Sequence, residues 1–178
     1  MIKPNLLYIL ILMPKVKSQL GFTLIELLIV IVVIGILAGI LVTMINVTEY
    51  QAQARDARRM NDVLSLQTAI IDSLANQGIT LMDTAGCADC DSTTGSDEID
   101  GTGWVKFNNI RGRGLIDVIS VLPTDSVNDA NYHFEYYSDG IDFEINAFFE
   151  SDRYSINAQQ DGGNDDAVYE RGFNLTLK

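Results

Sequence analysis

A single carboxylate, Glu26, stands at the N-terminal edge of a long apolar run. From Leu27 to Val42 no side chain is polar. A run of this length predicts a helix that can cross a lipid bilayer. A charge at the mouth of such a helix is costly when it has no partner, so residues of this kind usually mark a functional site. Glu26 is therefore the first candidate functional residue.

A second group of residues that could do chemistry lies in the segment 161–170. Closely spaced carboxylates and one amide follow a Gly-Gly pair there, and they offer the hard oxygen ligands that calcium prefers. The candidate ligands are Asp161, Asn164, Asp165 and Asp166. Their spacing differs from that of an EF-hand loop, and a solvated acidic turn is the alternative. We expect no obligatory cofactor, and calcium is the candidate ion.

The two cysteines form a Cys-x-x-Cys pair, Cys87 and Cys90, in a segment rich in Gly, Asp, Ser and Thr. Together with the one histidine, His133, they are too few for a four-ligand zinc site built from Cys and His. An oxidising compartment favours a local disulfide. Free thiols and a metal or redox role are the other two alternatives.

The sequence contains no motif that would bring catalytic residues together. His133 lies inside an alternating strand pattern, and no Ser, Cys or Lys has the context of an activated nucleophile. The net charge of −12 disfavours nucleic acid as a partner, because phosphate and an acidic surface repel each other. We therefore expect a protein that is not an enzyme and does not bind nucleic acid.

The first 21 residues contain three lysines and no acidic residue. Lys15 and Lys17 precede the apolar run, so the positive-inside rule places the N-terminus in the cytoplasm and the rest of the chain outside. Both Met1 and Met13 are candidate start codons. Because the basic segment precedes the apolar run, cleavage near residue 21 would keep the apolar helix in the product.

Residues 21–26, Gly-Phe-Thr-Leu-Ile-Glu, resemble the class III signal of type IV pilins and of type II secretion pseudopilins. In that family a membrane peptidase cuts after the glycine and methylates the new N-terminal amine. The resemblance implies cleavage between Gly21 and Phe22 and methylation of Phe22. It also implies that Glu26 pairs with the amine of a neighbouring subunit and sets the register of assembly.

The same resemblance implies a structural subunit of a type II secretion pseudopilus or a type IV pilus-like filament. Its partners would be prepilin peptidase, identical or related subunits, an inner-membrane platform protein and an assembly ATPase. The chain would cross the inner membrane once and then enter a filament in the periplasm or on the cell surface. The Gly-Gly-acid loop resembles the calcium loop of major pseudopilins, which favours type II secretion. A membrane-anchored calcium- or ligand-binding module that never polymerises is the alternative.

Four parts are expected along the chain. They are a cytoplasmic leader (1–21), a transmembrane or filament-core helix (22–46), its amphipathic continuation (47–78), and a globular head (79–178) made of a variable loop (79–103) and a β-sheet with the acidic loop (104–178). No proline interrupts the helix, so Gly35 and Gly39 are its expected weak points. Gly78 is predicted to end it in a left-handed conformation.

Alternating residues predict an antiparallel sheet in the head. Residues 132–137 and 141–148 flank an Asp-Gly turn and predict a hairpin, with Phe134 and Tyr136 on one face. Residues 104–107 predict either a strand or an anchor into the core, and weaker strand patterns occur at 153–156 and 173–177. A short helix or turn is predicted to pack Leu115, Val118 and Leu122 inward. The expected fold class is α+β, a long N-terminal helix, transmembrane in its first half, packed against a small antiparallel sheet.

Overall fold

The computed structural model of the protein describes residues 21–44 and 46–178. These residues fall into two compact units, one that ends at Ile45 and one that begins at Asn46. The predicted leader, with Lys15, Lys17 and both candidate start codons, lies outside the described residues except for Gly21.

Among the described residues of the first unit there is one helix, α1, which spans Leu24–Met44. It is apolar on every side, and none of its residues is buried within the described part of the chain. Its length and composition are sufficient to cross a membrane. Gly35 and Gly39 both lie inside the helix without interrupting it, so the expected weak points do not break α1.

The second unit opens with helix α2, Val47–Asp72. Asn46 precedes it with φ −78° and ψ 85°, outside the helical region, and its side-chain oxygen accepts a hydrogen bond from the backbone N–H of Glu49. Asn is favoured at N-cap positions because its side-chain oxygen accepts a hydrogen bond from a backbone N–H that has no partner within the helix. The prediction that the helix over residues 22–46 continues without interruption into 47–78 is therefore wrong at Asn46.

The C-terminal end of α2 continues as a π-helical segment, Ser73–Gln77. Gly78 follows with φ 73° and ψ 36°, which confirms the predicted left-handed end of the helix.

Helix α2 buries one stripe of side chains against the head. Val63, Leu66 and Ile70 are at most 1% exposed, whereas Leu64 and Ile71 are each 39% exposed. Residues three or four positions apart share a helix face, and residues one position apart do not. Leu64 and Ile71 therefore lie outside the buried face of the helix, although they are apolar.

Five strands follow α2 along the chain. They are β1 Ile79–Leu81, β2 Phe107–Asn109, β3 Phe134–Ser138, β4 Phe143–Ala147 and β5 Tyr169–Gly172. Strands β1 and β2 form one antiparallel sheet, and β3, β4 and β5 form a second in that order. With helix α2 packed against the larger sheet, the fold is the α+β arrangement that the sequence predicts.

The predicted hairpin is confirmed as β3 and β4. Phe134 pairs with Ala147 and Tyr136 with Ile145, and all four side chains belong to the buried core. Gly140 in the turn has φ 88°, a conformation that favours glycine.

Two other strand predictions are wrong. Residues 153–156 belong to helix α3, Asp152–Gln159, because Ser151 caps its start by accepting a hydrogen bond from Tyr154 N–H. The last strand is Tyr169–Gly172 rather than residues 173–177.

The region between α2 and the hairpin is mostly turns, as predicted, but the strands in it lie at other positions than the sequence predicts. The loop predicted at 79–103 begins with strand β1, and of the pattern at 104–107 only Phe107 is in a strand. Trp104 is fully buried and its Nε1 donates to the carbonyl oxygen of Pro123 at 3.1 Å.

The segment 115–123 forms turns, and only part of its predicted inward packing is correct. Leu115 and Leu122 are buried, whereas Val118 is 41% exposed.

A buried ion cluster fixes α2 to two loops of the head. Arg59 is 1% exposed and donates to Asp56 at 2.7 Å and to both carboxylate oxygens of Asp125. A third carboxylate, Glu150, pairs with the same guanidinium. Asp56 also accepts the backbone N–H of Ser151 at 2.8 Å. Because buried charges are stable only when paired and hydrogen-bonded, this cluster holds the three segments in one arrangement.

The buried stripe of α2 predicts a large difference between two neighbouring leucines. Leu66→Ala should lower the free energy of unfolding by about 3 kcal/mol, because it opens a cavity in the core. Leu64→Ala, the matched control, should cost less than about 1 kcal/mol. Denaturant unfolding of the full chain in detergent, followed by near-UV circular dichroism, measures both. Equal losses would contradict the assigned helix face.

The ion cluster predicts a similar contrast between two aspartates. Asp125→Asn should lower the free energy of unfolding by about 3 kcal/mol at pH 7, because Arg59 loses its bidentate partner. Asp117→Asn removes an exposed carboxylate that pairs with Arg113 and should cost less than about 0.5 kcal/mol. Losses of the same size in both variants would contradict a structural role for the cluster.

The pH dependence of the cluster follows from Asp125. Burial alone would raise the pKa of its carboxyl, but hydrogen bonds from Arg59 and from the backbone of Val127 and Asn128 lower it below the ordinary value of 3.8. A lowered folded-state pKa contributes stability that is present above 3.8 and is lost as the pH falls through the folded-state value. Asp125→Asn should therefore flatten the stability curve below about pH 4.

Candidate functional site

Helix α1 begins with a capping box that includes the candidate carboxylate. The backbone N–H and the hydroxyl of Thr23 both donate to Glu26 Oε2, each at 2.7 Å. In return, the backbone N–H of Glu26 donates to Thr23 Oγ1 at 3.3 Å. N–H groups that a helix start leaves without partners are thereby satisfied. Glu26 consequently has polar contacts within its own chain and still keeps a negative charge to offer.

The residues of the predicted cleavage lie just before this box. Gly21, Phe22 and Thr23 are not helical, and Phe22 is 88% exposed. The Gly21–Phe22 peptide bond thus lies outside any helix or strand.

The cysteine pair forms a disulfide in this structure, with an S–S distance of 2.00 Å between Cys87 and Cys90. Within residues 21–44 and 46–178, these two and Asp89 are the one set of three Cys, His, Asp or Glu side chains whose ligand atoms lie within 4.8 Å of one another. Metal ligation requires thiolates, which a disulfide does not provide. The oxidised pair therefore offers a local crosslink rather than a metal site.

The acidic loop uses part of its predicted ligand set for its own structure. Asp161 accepts the backbone N–H of Gly163 at 2.8 Å and that of Glu170 at 2.7 Å. Asp165 and Asp166 are exposed. Asp161 therefore shapes the loop, and it draws Glu170 towards the loop from strand β5.

A buried polar cluster lies beside this loop, on the face of the larger sheet opposite the core. Glu144, Asn146 and Glu170 are at most 1% exposed. Asn146 pairs with Glu170 across β4 and β5, and alternation along β4 puts Glu144 on the same face. The Oε1 atom of Glu144 and the Oδ1 atom of Asn146 are buried without a hydrogen-bond partner in the described chain.

The surroundings of Glu170 are unfavourable for its negative charge. Burial raises the pKa of the Glu170 carboxyl, and repulsion from Glu144, Asp161 and Asp165 adds to this, although the backbone N–H of Asp165 opposes it. A raised pKa means that the negative form of Glu170 is destabilised in the folded protein. The cluster would therefore gain stability from a positive charge.

The N-terminal helix and its cap have counterparts in known proteins. A family model described as a prokaryotic N-terminal methylation motif matches residues 16–42. Two fimbrial proteins of Pseudomonas aeruginosa are each 36% identical over 114 residues, which is 62% of this chain and 72% of the relative. The chain belongs to the type IV pilin family. No solved structure matches this pilin.

Sequence analysis of this pilin missed two features of the candidate sites. The capping box was visible in the sequence as the spacing Thr-x-x-Glu at residues 23–26. The burial of Glu144 and Asn146 was not visible, because they alternate with core residues and such positions often face solvent. The segment after β5 contacts one of them, since Leu177 N–H donates to Glu144 Oε2 at 2.8 Å.

Proposed function

We propose that this pilin is a structural subunit of a fimbria-like filament, cut between Gly21 and Phe22 and methylated on Phe22. Helix α1 carries the argument, because it is predominantly apolar and none of its 21 residues is buried within the described chain. An apolar surface of this size needs lipid around it before assembly and other subunits around it afterwards. In this account the chain is a substrate of prepilin peptidase and a building block, not an enzyme.

Glu26 supplies the register of assembly in this proposal. The amine released at Phe22 of one subunit is the cation that pairs with Glu26 of the next. A displaced helix would leave both charges unpaired in an apolar environment, which is strongly unfavourable. The capping contacts with Thr23 hold the carboxylate at a fixed place on the first turn.

Helix α2 offers a second surface for neighbouring subunits. Its face directed away from the head exposes apolar side chains at helical spacing, namely Val47, Tyr50, Ala54, Leu64 and Ile71. Exposed apolar stripes of this kind are typical of helix–helix contacts between chains. Both helices would thus contribute to packing in the filament.

Two filament types, a surface fimbria and a type II secretion pseudopilus, are candidates for this pilin. Both Pseudomonas aeruginosa proteins are fimbrial proteins, which supports the surface filament. The acidic loop with its Gly-Gly pair supports the pseudopilus as the second candidate. Either filament would require an inner-membrane platform protein and an assembly ATPase. A non-polymerising membrane-anchored binding module would instead stay monomeric after detergent extraction.

Glu26→Gln tests the role of the charge separately from the role of the cap. Glutamine can keep the capping contacts with Thr23, but it cannot pair with a cationic amine. In a cell that carries a pilus assembly apparatus, the variant should be cleaved normally, and the filament yield from sheared cells should fall at least about tenfold.

Glu49→Gln is the matched control, since Glu49 lies in the first turn of α2 and its side chain accepts from Gln53 at 3.0 Å. It should assemble like the wild type. Filaments from Glu26→Gln in normal amount and with normal subunit spacing would refute the register role.

A further inference from the structure

The outer edge of strand β3 is covered by another part of the chain. The larger sheet has the order β3-β4-β5, so within the described residues β3 has a neighbouring strand on one side only. Along its other side lies the segment 84–92, which belongs to none of the five strands. We call this segment the edge cover. An open strand edge offers unpaired backbone groups to other chains, and native proteins therefore block such edges.

Each end of the edge cover is bonded to β3 through a hydroxyl as well as through the backbone. Thr84 N–H donates to the carbonyl oxygen of Ser138 at 2.8 Å, and its hydroxyl accepts the N–H of Ser138 at 2.8 Å. At the other end, Ser92 N–H donates to the carbonyl oxygen of Phe134 at 2.9 Å, and its hydroxyl accepts the N–H of Phe134 at 2.9 Å. Because hydroxyls take the place of backbone acceptors, the cover ends the sheet instead of extending it as a further strand.

The disulfide closes the middle of the edge cover. There the carbonyl oxygen of Cys90 accepts the N–H of Tyr136 at 2.9 Å. The bond from Cys90 to Cys87 ties this carbonyl group to the turn before it. A cavity of about 60 Å³ is lined by both cysteines and by Glu135 and Tyr137 of β3, so the cover does not pack tightly on the middle of the strand. The disulfide, rather than close packing, restrains this part of the cover.

We propose that the edge cover is redox-sensitive. While Cys87 and Cys90 are joined, it blocks the edge of β3, and when a dithiol reduces them, that edge pairs with the same edge of a second copy of the chain. Two identical edges can pair antiparallel about a two-fold axis. Strand β3 favours such pairing because three of its five residues are aromatic. The contact lies in the head, so its failure would leave the proposed cleavage and filament packing through α1 intact.

Acidic side chains add to the block in the oxidised protein. Asp89 is exposed and Asp91 is half-buried on the edge cover. Two copies that met cover to cover would bring these like charges together, which is unfavourable. Lys106 pairs with Asp89 at 2.8 Å and holds the cover from the side. An ion pair with an exposed partner contributes little stability, so it does not replace the disulfide.

The reduction that opens the cover is a thiol–disulfide exchange. A thiolate of the dithiol attacks the sulfur of Cys87, the more exposed of the two cysteines, and the bond to Cys90 breaks with release of the Cys90 thiolate. The second thiolate of the reductant then attacks its own sulfur in the mixed disulfide and releases Cys87. The reductant leaves with an internal disulfide, and two electrons and two protons remain on the two cysteines.

Amide hydrogen exchange of the full chain in detergent, followed by NMR with and without dithiothreitol, tests the proposal. At low protein concentration, reduction should accelerate exchange of the Tyr136 amide at least about tenfold, because the crosslink no longer restricts the opened cover. At high protein concentration part of this protection should return, since paired edges shield the amide again. Analytical ultracentrifugation should detect dimers in the reduced protein and monomers in the oxidised protein.

Three variants separate the edge cover from a general loss of stability. The double variant Cys87→Ser with Cys90→Ser should behave without reductant as the reduced wild type does. Leu66→Ala is the matched control, because it weakens the core but keeps the disulfide and the cover, and it should stay monomeric. Ser92→Ala keeps the disulfide and removes one hydroxyl acceptor. It should accelerate exchange of the Phe134 amide about fivefold and leave the Ser138 amide unchanged.

The outcomes that would overturn the proposal are distinct. A reduced protein that keeps the Tyr136 amide protected, or that stays monomeric at every concentration, would contradict it. Equal dimer formation by the oxidised wild type or by Leu66→Ala would also contradict it, because the disulfide would then have no specific part. Loss of the near-UV circular dichroism signal on reduction would show that the disulfide holds the whole head and not the cover alone.

Discussion

Helix α1 exposes an apolar surface that nothing in the described part of the chain covers, and this surface constrains every other feature of the protein. In water such a helix would aggregate, so it must lie in lipid or against other apolar helices. The head can therefore be small and acidic, since it only has to fold and remain soluble. Two features of α2 fit the same constraint, namely its exposed apolar stripe and the ion cluster around Arg59. The first extends the surface available to other chains, and the second holds the head on α2.

The capping box changes the physical description of Glu26. On its charge alone, a carboxylate at the edge of a membrane helix would need an external partner, because an unpaired charge is costly there. In the structure Thr23 already satisfies part of its hydrogen-bonding capacity and fixes its position. The remaining charge is then available for recognition between subunits. Its proposed role is therefore specificity of register rather than rescue of an isolated acid.

Local patterns in the sequence predicted the local structure well. The hairpin of β3 and β4 followed from alternation around Asp139-Gly140, and Gly78 followed from its place after the helix. The failures have non-local or competing causes. Residues 153–156 alternate like a strand, but the Ser151 cap favours helix α3. Glu144 and Asn146 alternate with core residues as a solvent-facing pair would, but both are buried, and the segment after β5 contacts Glu144.

The central claim is that the chain enters a filament as a mature subunit that begins at Phe22. Intact mass and N-terminal sequencing of protein from sheared, purified filaments test this claim directly. The account predicts a chain that starts at Phe22 with one added methyl group on its amine and with the leader absent. Filaments whose subunits retain residues before Phe22, or processed chains found only as monomers in the membrane, would contradict it.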